Sequence, residues 1–166
     1  MGALVYECGP DPVDARPFEL HVAEAVIEVR AYELDSFGHV NHAVHLNYFE
    51  QARFEVLARC GFAYDALAQL GWAIHVVRIE VNYLSEVLLG DRRRIRTWAA
   101  EFRRTSMVML QEARRDAREG EAESMPVARA RVVAVWVGGD GRPTRVPEEV
   151  RDGFGNLEAP NPDGSI

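Results

Sequence analysis

Asp35, Gly38 and Asn41 stand at steps of three inside the stretch D-S-F-G-H-V-N-H-A-V-H-L-N-Y-F-E-Q-A-R, which runs from Asp35 to Arg53. Asn41 occupies the position of a helix N-cap, and Gly38 lies in the short turn before it. The first amides of a helix have no intrahelical acceptor, and the helix dipole favours negative charge there. A carboxylate beside such amides joins a base or nucleophile to donors for an oxyanion. The competing assignment is that Asp35 only closes the turn, as Asp commonly does.

His39, His42 and His45 add an H-x-x-H-x-x-H run beside this carboxylate, a composition that suits zinc. Steps of three along a helix rotate about 300° each, so the third side chain points away from the first, and His39 precedes the helix. His42 and His45 are therefore assigned to packing and hydrogen bonding beside the site, with no metal. Glu50 lies two turns into the helix and is assigned to pairing with Arg53 or Arg59. His75 is assigned to a hydrogen-bonded core position, and Cys60 to packing, because a helix C-terminus lacks the positive potential that makes a thiolate.

The element that must position these groups is one long helix. From His42 to Cys60 the apolar residues Leu46, Phe49, Ala52, Val56 and Cys60 recur at steps of three and four, and Asn47, Gln51, Glu55 and Arg59 form a polar stripe. Gly61 ends it. At about 1.5 Å per residue such a helix is roughly 28 Å long, enough to span a small domain. Alternation predicts a strand over Ala25 to Tyr32 before it. A short helix over Tyr64 to Leu70 follows, then strands over Trp72 to Tyr83, Arg92 to Arg104, Met107 to Arg115 and Val127 to Val137. In the first of these Ala73, Val77, Ile79, Val81 and Tyr83 share a face; in the last Ala128, Ala130, Val132, Ala134 and Trp136 do. Gly90-Asp91 marks a turn, and Asp116 to Ser124 a polar connection. One early helix followed by long strands gives an α+β domain with an antiparallel sheet.

The 166 residues suit a single domain, placed at residues 21–150, between an irregular leader over 1–20 and a mobile tail over 151–166. The formal charge is -7, and all 19 basic residues are Arg, so charge gives no support for nucleic-acid binding and directs attention to small-molecule partners. Cys8 and Cys60 are not expected to pair. No run approaches the roughly 18 apolar residues of a membrane span, and no secretory pattern opens the chain; a soluble, cytoplasmic protein is expected.

The Asp35–Arg53 stretch resembles the signature of hotdog-fold acyl-CoA thioesterases, the group of 4-hydroxybenzoyl-CoA thioesterase and the bacterial long-chain acyl-CoA thioesterases. There an acidic residue, a G-H-V-N turn and a Y-F-E-x-A-R helix follow in order. The likeness is closest over Val29 to Arg53 and continues more weakly through V-N-Y-L-S-E-V-L-L-G-D (Val81 to Asp91) and E-F-R-R-T-S (Glu101 to Ser106). It implies a hotdog fold, an antiparallel sheet wrapped around one long central helix, in a homodimer or homotetramer whose sheets join edge to edge and whose sites lie between subunits. It also implies hydrolysis of a fatty or aromatic acyl thioester to free acid and CoA, without metal or organic cofactor.

On this resemblance Asp35 is the nucleophile or the general base, and the backbone N–H of His42 is the oxyanion donor. Asn41, Arg103, Arg104 and Ser106 bind substrate, the last three at the phosphates of coenzyme A, where forked guanidinium bonds suit phosphate. Alternating strand faces would send Arg103 and Arg104 to opposite sides. Arg92, Arg93, Arg94 and Arg96 are assigned to a solvated strand end. His42 and His45 stand where the family often has Asn and Tyr, a departure that bears on acyl preference. The alternative class is a non-catalytic hotdog protein that binds acyl-CoA or an acyl-carrier protein, which steady-state release of thiol from acyl-CoAs would separate from an enzyme.

Overall fold

The computed structural model describes residues 23–155; the expected leader over 1–20 lies outside them, as do residues 156–166 of the expected tail. Strand β1 (Ala23–Glu28) opens the described chain and is followed by one 3-10 turn at Ala31–Glu33. The strand stops short of Tyr32 because the Arg30 N–H is taken by Glu33 Oε2 at 2.7 Å, which closes the chain into the turn instead of onto a neighbouring strand. Helix α1 (His42–Arg59) then runs for 18 residues, or about 27 Å at about 1.5 Å per residue. Helix α2 (Tyr64–Gln69) leads into β2 (Ala73–Tyr83), β3 (Arg92–Phe102), β4 (Ser106–Arg115) and β5 (Met125–Val137), and α3 (Glu148–Gly155) closes the described fold.

The strands form one antiparallel sheet in the order β1-β3-β4-β5-β2, so β1 and β2 are its edges. Helix α1 lies against one face. Phe49, Ala52 and Val56 from α1 are buried with Met107, Met109 and Ala113 of β4 and with the even positions Ala128 to Trp136 of β5. The three alanines on β5 leave room for the helix to approach. Each large apolar side chain buried there contributes about 1.5–3 kcal/mol, which outweighs differences of a few tenths in helix propensity and makes packing the main support of α1. The polar stripe stays on the outer side, where Gln51 Nε2 donates to Glu55 Oε1 at 3.1 Å.

Three expectations about packing are corrected. The register of β2 against β5 shifts between Val76 and Arg78, so Val77 is an extra residue and is 61% exposed. One inserted residue inverts the alternation: Ile74 faces the core before the bulge, and Ile79 and Val81 face it afterwards. Val77 therefore does not share their face, and His75 is exposed on the edge strand instead of sitting in the core. At the other end, packed structure continues past the expected boundary at residue 150. Val150 and Phe154, one helical turn apart on α3, are both buried, and Phe154 meets Phe102 edge-on with ring centroids 5.9 Å apart. Among the described residues no helix is long and apolar enough to cross a membrane.

Candidate active site

Asp35 is half-buried in the turn that joins the 3-10 segment to α1. Its N–H donates to the His39 carbonyl at 2.8 Å, and its own carbonyl accepts from the Gly38 N–H at 3.1 Å. Gly38 completes this turn at φ +80°, a left-handed conformation that a Cβ would strain. Carboxylate Oδ1 accepts the N–H groups of Phe37 at 2.8 Å and His39 at 3.2 Å. Asp35 thus does cap its turn, but with one oxygen. Among the described residues no donor takes Oδ2.

The same turn is fastened to the start of α1. The Asn41 N–H donates to the Glu33 carbonyl at 2.9 Å, and the Val40 N–H to the Val87 carbonyl at 2.8 Å. Asn41 caps the helix as expected, its Oδ1 accepting from the Ala43 N–H at 2.9 Å. Val44 N–H turns back to the Asn41 carbonyl at 2.9 Å. The His42 N–H, the first of the helix, has no acceptor among the described residues. A carboxylate oxygen and a helix N-terminal amide, neither with a partner among the described residues, therefore belong to one hydrogen-bonded turn.

The histidines face different neighbours. His39 Nε2 lies 3.4 Å from Glu86 Oε2. His42 is exposed, and its carbonyl accepts from the Tyr83 hydroxyl at 2.9 Å, which ties the end of β2 to the start of α1. His45 is buried edge-on against Tyr83 and Tyr48, at 5.4 and 6.2 Å between centroids. Burial, helped by the charges of Arg93 and His42, lowers the His45 imidazole to about 4, so it is neutral at neutral pH. Among the described residues no group of three or more His, Cys, Asp or Glu could hold a metal ion.

On the core side of the turn lies a polar array. Arg93 is fully buried, which corrects its assignment to a solvated strand end: positions 93, 95 and 97 of β3 face inward, and Arg94 turns outward to Glu24 and Asp116 at 3.1 and 2.8 Å. The Arg93 guanidinium carbon sits 3.4 Å from the Tyr48 ring centroid. The Tyr48 hydroxyl donates a short bond to Glu33 Oε2. Burial, reinforced by that bond, pushes the Tyr48 phenol up to about 12, so it keeps its proton. Farther along α1, buried Gln111 accepts from Arg53 Nη1 and donates to the Phe49 carbonyl and Thr97 Oγ1, each at 2.9 Å. An Arg on the inward parity of Ile95 and Thr97 is the signal by which Arg93 could be found; the link of Glu33 to Tyr48 and that of Tyr83 to His42 have none, since those partners are distant in sequence.

The expected coenzyme A residues stand elsewhere. Arg103 to Ser106 form the β3–β4 hairpin, closed by the Arg103 N–H on the Ser106 carbonyl at 2.8 Å. Arg103 is paired with Glu101 at 2.8 and 3.0 Å, Arg104 is exposed, and Ser106 is buried. Val146 N–H and the Arg151 guanidinium fasten this hairpin to the α3 end, at 2.9 and 2.6 Å, and α3 packs on Cys60 at the C-terminus of α1. Within one chain Arg103, Arg104 and Ser106 are therefore at the opposite end of α1 from Asp35. An apolar pocket of about 310 Å³ opens between the second half of α1, α2 and the start of β2, walled by Phe54, Leu57, Tyr64, Leu67, Trp72 and Ile74.

Residues 29–154 match the family described as the Thioesterase-like superfamily. The chain belongs to that family; its fold is the hotdog, and its enzyme class is that of the thioester hydrolases. The chloroplastic acyl-acyl carrier protein thioesterase ATL3 of Arabidopsis thaliana is 32% identical over 136 residues, which cover 82% of this chain and 68% of that protein. The putative acyl-CoA thioesterase YneP of Bacillus subtilis is 31% identical over 83 residues, half of this chain and 60% of that one. Among solved structures, a Thermus thermophilus thioesterase complexed with coenzyme A and Zn is 33% identical with a TM-score of 0.67, over 83% of this chain and 94% of that one. A 4-hydroxybenzoyl-CoA thioesterase mutant complexed with 4-hydroxybenzoyl-CoA shares the fold at 18% identity and a TM-score of 0.74, over 81% and 99%.

Proposed function

We propose that the chain hydrolyses a fatty or aromatic acyl-CoA to the free acid and coenzyme A, with Asp35 as base or nucleophile and the His42 N–H as oxyanion donor. The observation that carries this is an Asp35 Oδ2 and a first amide of a capped helix that share one turn and have no partner among the described residues. In one course Asp35 takes a proton from water, whose oxygen adds to the thioester carbonyl; in the other Oδ2 adds directly, and water cleaves the resulting acyl anhydride. In both the C–S bond breaks, the sulfur leaves as the coenzyme A thiol or thiolate, and the helix amide steadies the oxyanion. No step is assigned to a metal or an organic cofactor.

The site is completed by a second copy of the chain. Edge strand β2 exposes Val76, Val77 and Tyr83, and pairing it with its equivalent would cover an edge that otherwise invites aggregation. Such pairing is antiparallel about a two-fold axis, so the start of one β2 lies beside the end of the other. Tyr83, at the end of β2, touches the helix start of its own chain; Ala73 to Val76, at the beginning, line the apolar pocket. One subunit's pocket and β3–β4 hairpin are thereby carried toward the partner's Asp35. The pocket takes the acyl group, and Arg103, Arg104 and Ser106 serve the partner's coenzyme A.

The test is steady-state thiol release from a panel running from acetyl- to palmitoyl-CoA with benzoyl-CoA, for wild type and Asp35→Asn. Turnover by wild type with loss in the variant supports the reading; no turnover on any member moves the non-catalytic acyl-CoA binder ahead. Because ATL3 is named for acyl-carrier-protein thioesters, the same acyl groups on that carrier form the second panel.

A further inference from the structure

Arg93 poses a problem of energetics. Its side chain is fully buried, yet Nε and both Nη atoms lack a hydrogen-bond partner among the described residues. A buried guanidinium without partners is costly, and an apolar side chain of similar size usually serves stability at least as well. What meets the charge is the face of Tyr48, at 3.4 Å, with the carboxylates of Glu33 and Asp91 acting on it electrostatically. A carboxylate is a stronger hydrogen-bond acceptor than a neutral group, and Glu33 uses its charge on the Tyr48 hydroxyl.

Glu33 is also where the Asp35 turn begins. Its side chain is held by Tyr48, two helical turns into α1, while its backbone carbonyl accepts the N–H of Asn41, the helix cap. Both ends of the segment that carries Asp35 are thus referred to α1 through one residue. We propose that Glu33, Tyr48 and Arg93 form a positioning device that sets the Asp35 carboxylate relative to the first amide of α1, acting on turnover without touching substrate. This rests on the catalytic reading of Asp35. Its physical basis is that a misplacement of about 1 Å can cost about 10²-fold in rate when a reacting carbonyl must meet a carboxylate and an oxyanion donor together.

The test is a double-mutant cycle on the full chain, using the best substrate of the acyl-CoA panel. Tyr48→Phe keeps the ring over Arg93 and removes the hydroxyl, with its bond to Glu33 and its polar contribution to Arg93. It is expected to lower kcat by about 10- to 100-fold with KM changed less than about threefold, because placement matters in the transition state more than in binding. In the Asp35→Asn background the same change should cost less than about twofold, since there is no longer a carboxylate to place. A purely structural Tyr48 would lower the melting temperature and leave kcat alone well below it.

The proposal is overturned by a folded Tyr48→Phe protein with kcat within about twofold of wild type, or by a loss that multiplies undiminished onto Asp35→Asn. Should Tyr48→Phe fail to fold, Glu33→Gln, which preserves shape and an acceptor, carries the same cycle with the same criteria and a smaller expected loss. If Asp35→Asn alone keeps full turnover, the catalytic reading falls and the positioning role falls with it. If Asp35→Asn is inactive and Tyr48→Phe is normal, only the positioning role is lost.

Discussion

At the residue scale, Asp35 caps its turn with one oxygen, and under the proposed function the other serves catalysis; a single substitution separates the two roles. Asp35→Asn retains an oxygen for the Phe37 and His39 N–H groups but removes the charge. Turnover should fall about 10²- to 10⁴-fold, the usual reach of general acid–base catalysis. The folding free energy should change by about 1 kcal/mol or less, the scale of a cap swap. Activity above about a tenth of wild type in a folded variant would return Asp35 to turn-capping alone. His45 gives a pH-dependent prediction. Its folded value of about 4 lies below the ordinary 6.5, so the unfolded chain binds the proton first. The stabilisation is complete above pH 6.5 and is lost as pH falls toward 4, on the order of 3 kcal/mol at about 1.4 kcal/mol per unit. Urea unfolding of His45→Phe at pH 7 and pH 4.5 should show a smaller difference than wild type; an unchanged difference would move the acid sensitivity elsewhere.

At the element scale, the placement of α3 depends on a backbone approach that only glycine allows. A Cβ on Gly153 would stand 2.8 Å from the Cys60 Cβ and 3.2 Å from the Cys60 carbonyl oxygen. Gly153→Ala should therefore destabilise by about 1–3 kcal/mol, the ordinary cost of overpacking, as read from denaturant midpoints. Cys60→Ala should not relieve it, because the clash is with the Cβ and backbone that alanine keeps; relief would mean that the sulfur had been the obstacle. Element limits were largely legible: the period of α1, its Asn41 cap and the even-numbered apolar face of β5 are local properties of the chain. The β2 bulge was not, because Val77 is as apolar as its neighbours and only pairing with β5 reveals it as an extra residue.

At the scale of the whole molecule, the distance between the β3–β4 hairpin and Asp35 within one chain yields a test of how sites are shared. If Arg103 and Arg104 hold the coenzyme A phosphates as proposed, replacing both by Ala should raise KM for acyl-CoA about tenfold or more and leave kcat within about threefold. A short thioester without the nucleotide should not distinguish the variant from wild type. Mixed with Asp35→Asn subunits at low acyl-CoA, the arginine variant should regain activity. If the arginines act across the dimer, each mixed dimer contains one site with both an intact Asp35 and an intact hairpin. If they act within their own chain, no site is complete and mixing restores nothing.

What the sequence alone determined is whatever depends on near neighbours: the order and type of the elements, the cap at Asn41, the turn at Gly38, and the carboxylate beside a helix start. The match over residues 29–154 then extends these to a family. Tertiary structure decided the rest, because it depends on which side chains meet across the sheet. Arg93 looks like one of four surface arginines until the parity of β3 turns it inward onto Tyr48. Val150 and Phe154 look like scattered apolar residues in an acidic tail until α3 closes on the end of α1. Glu33 has no motif, and its carboxylate finds the Tyr48 hydroxyl across 15 residues of chain only because helix and turn fold back on each other. Contacts of that kind have no period to read, since they are set by packing and not by spacing.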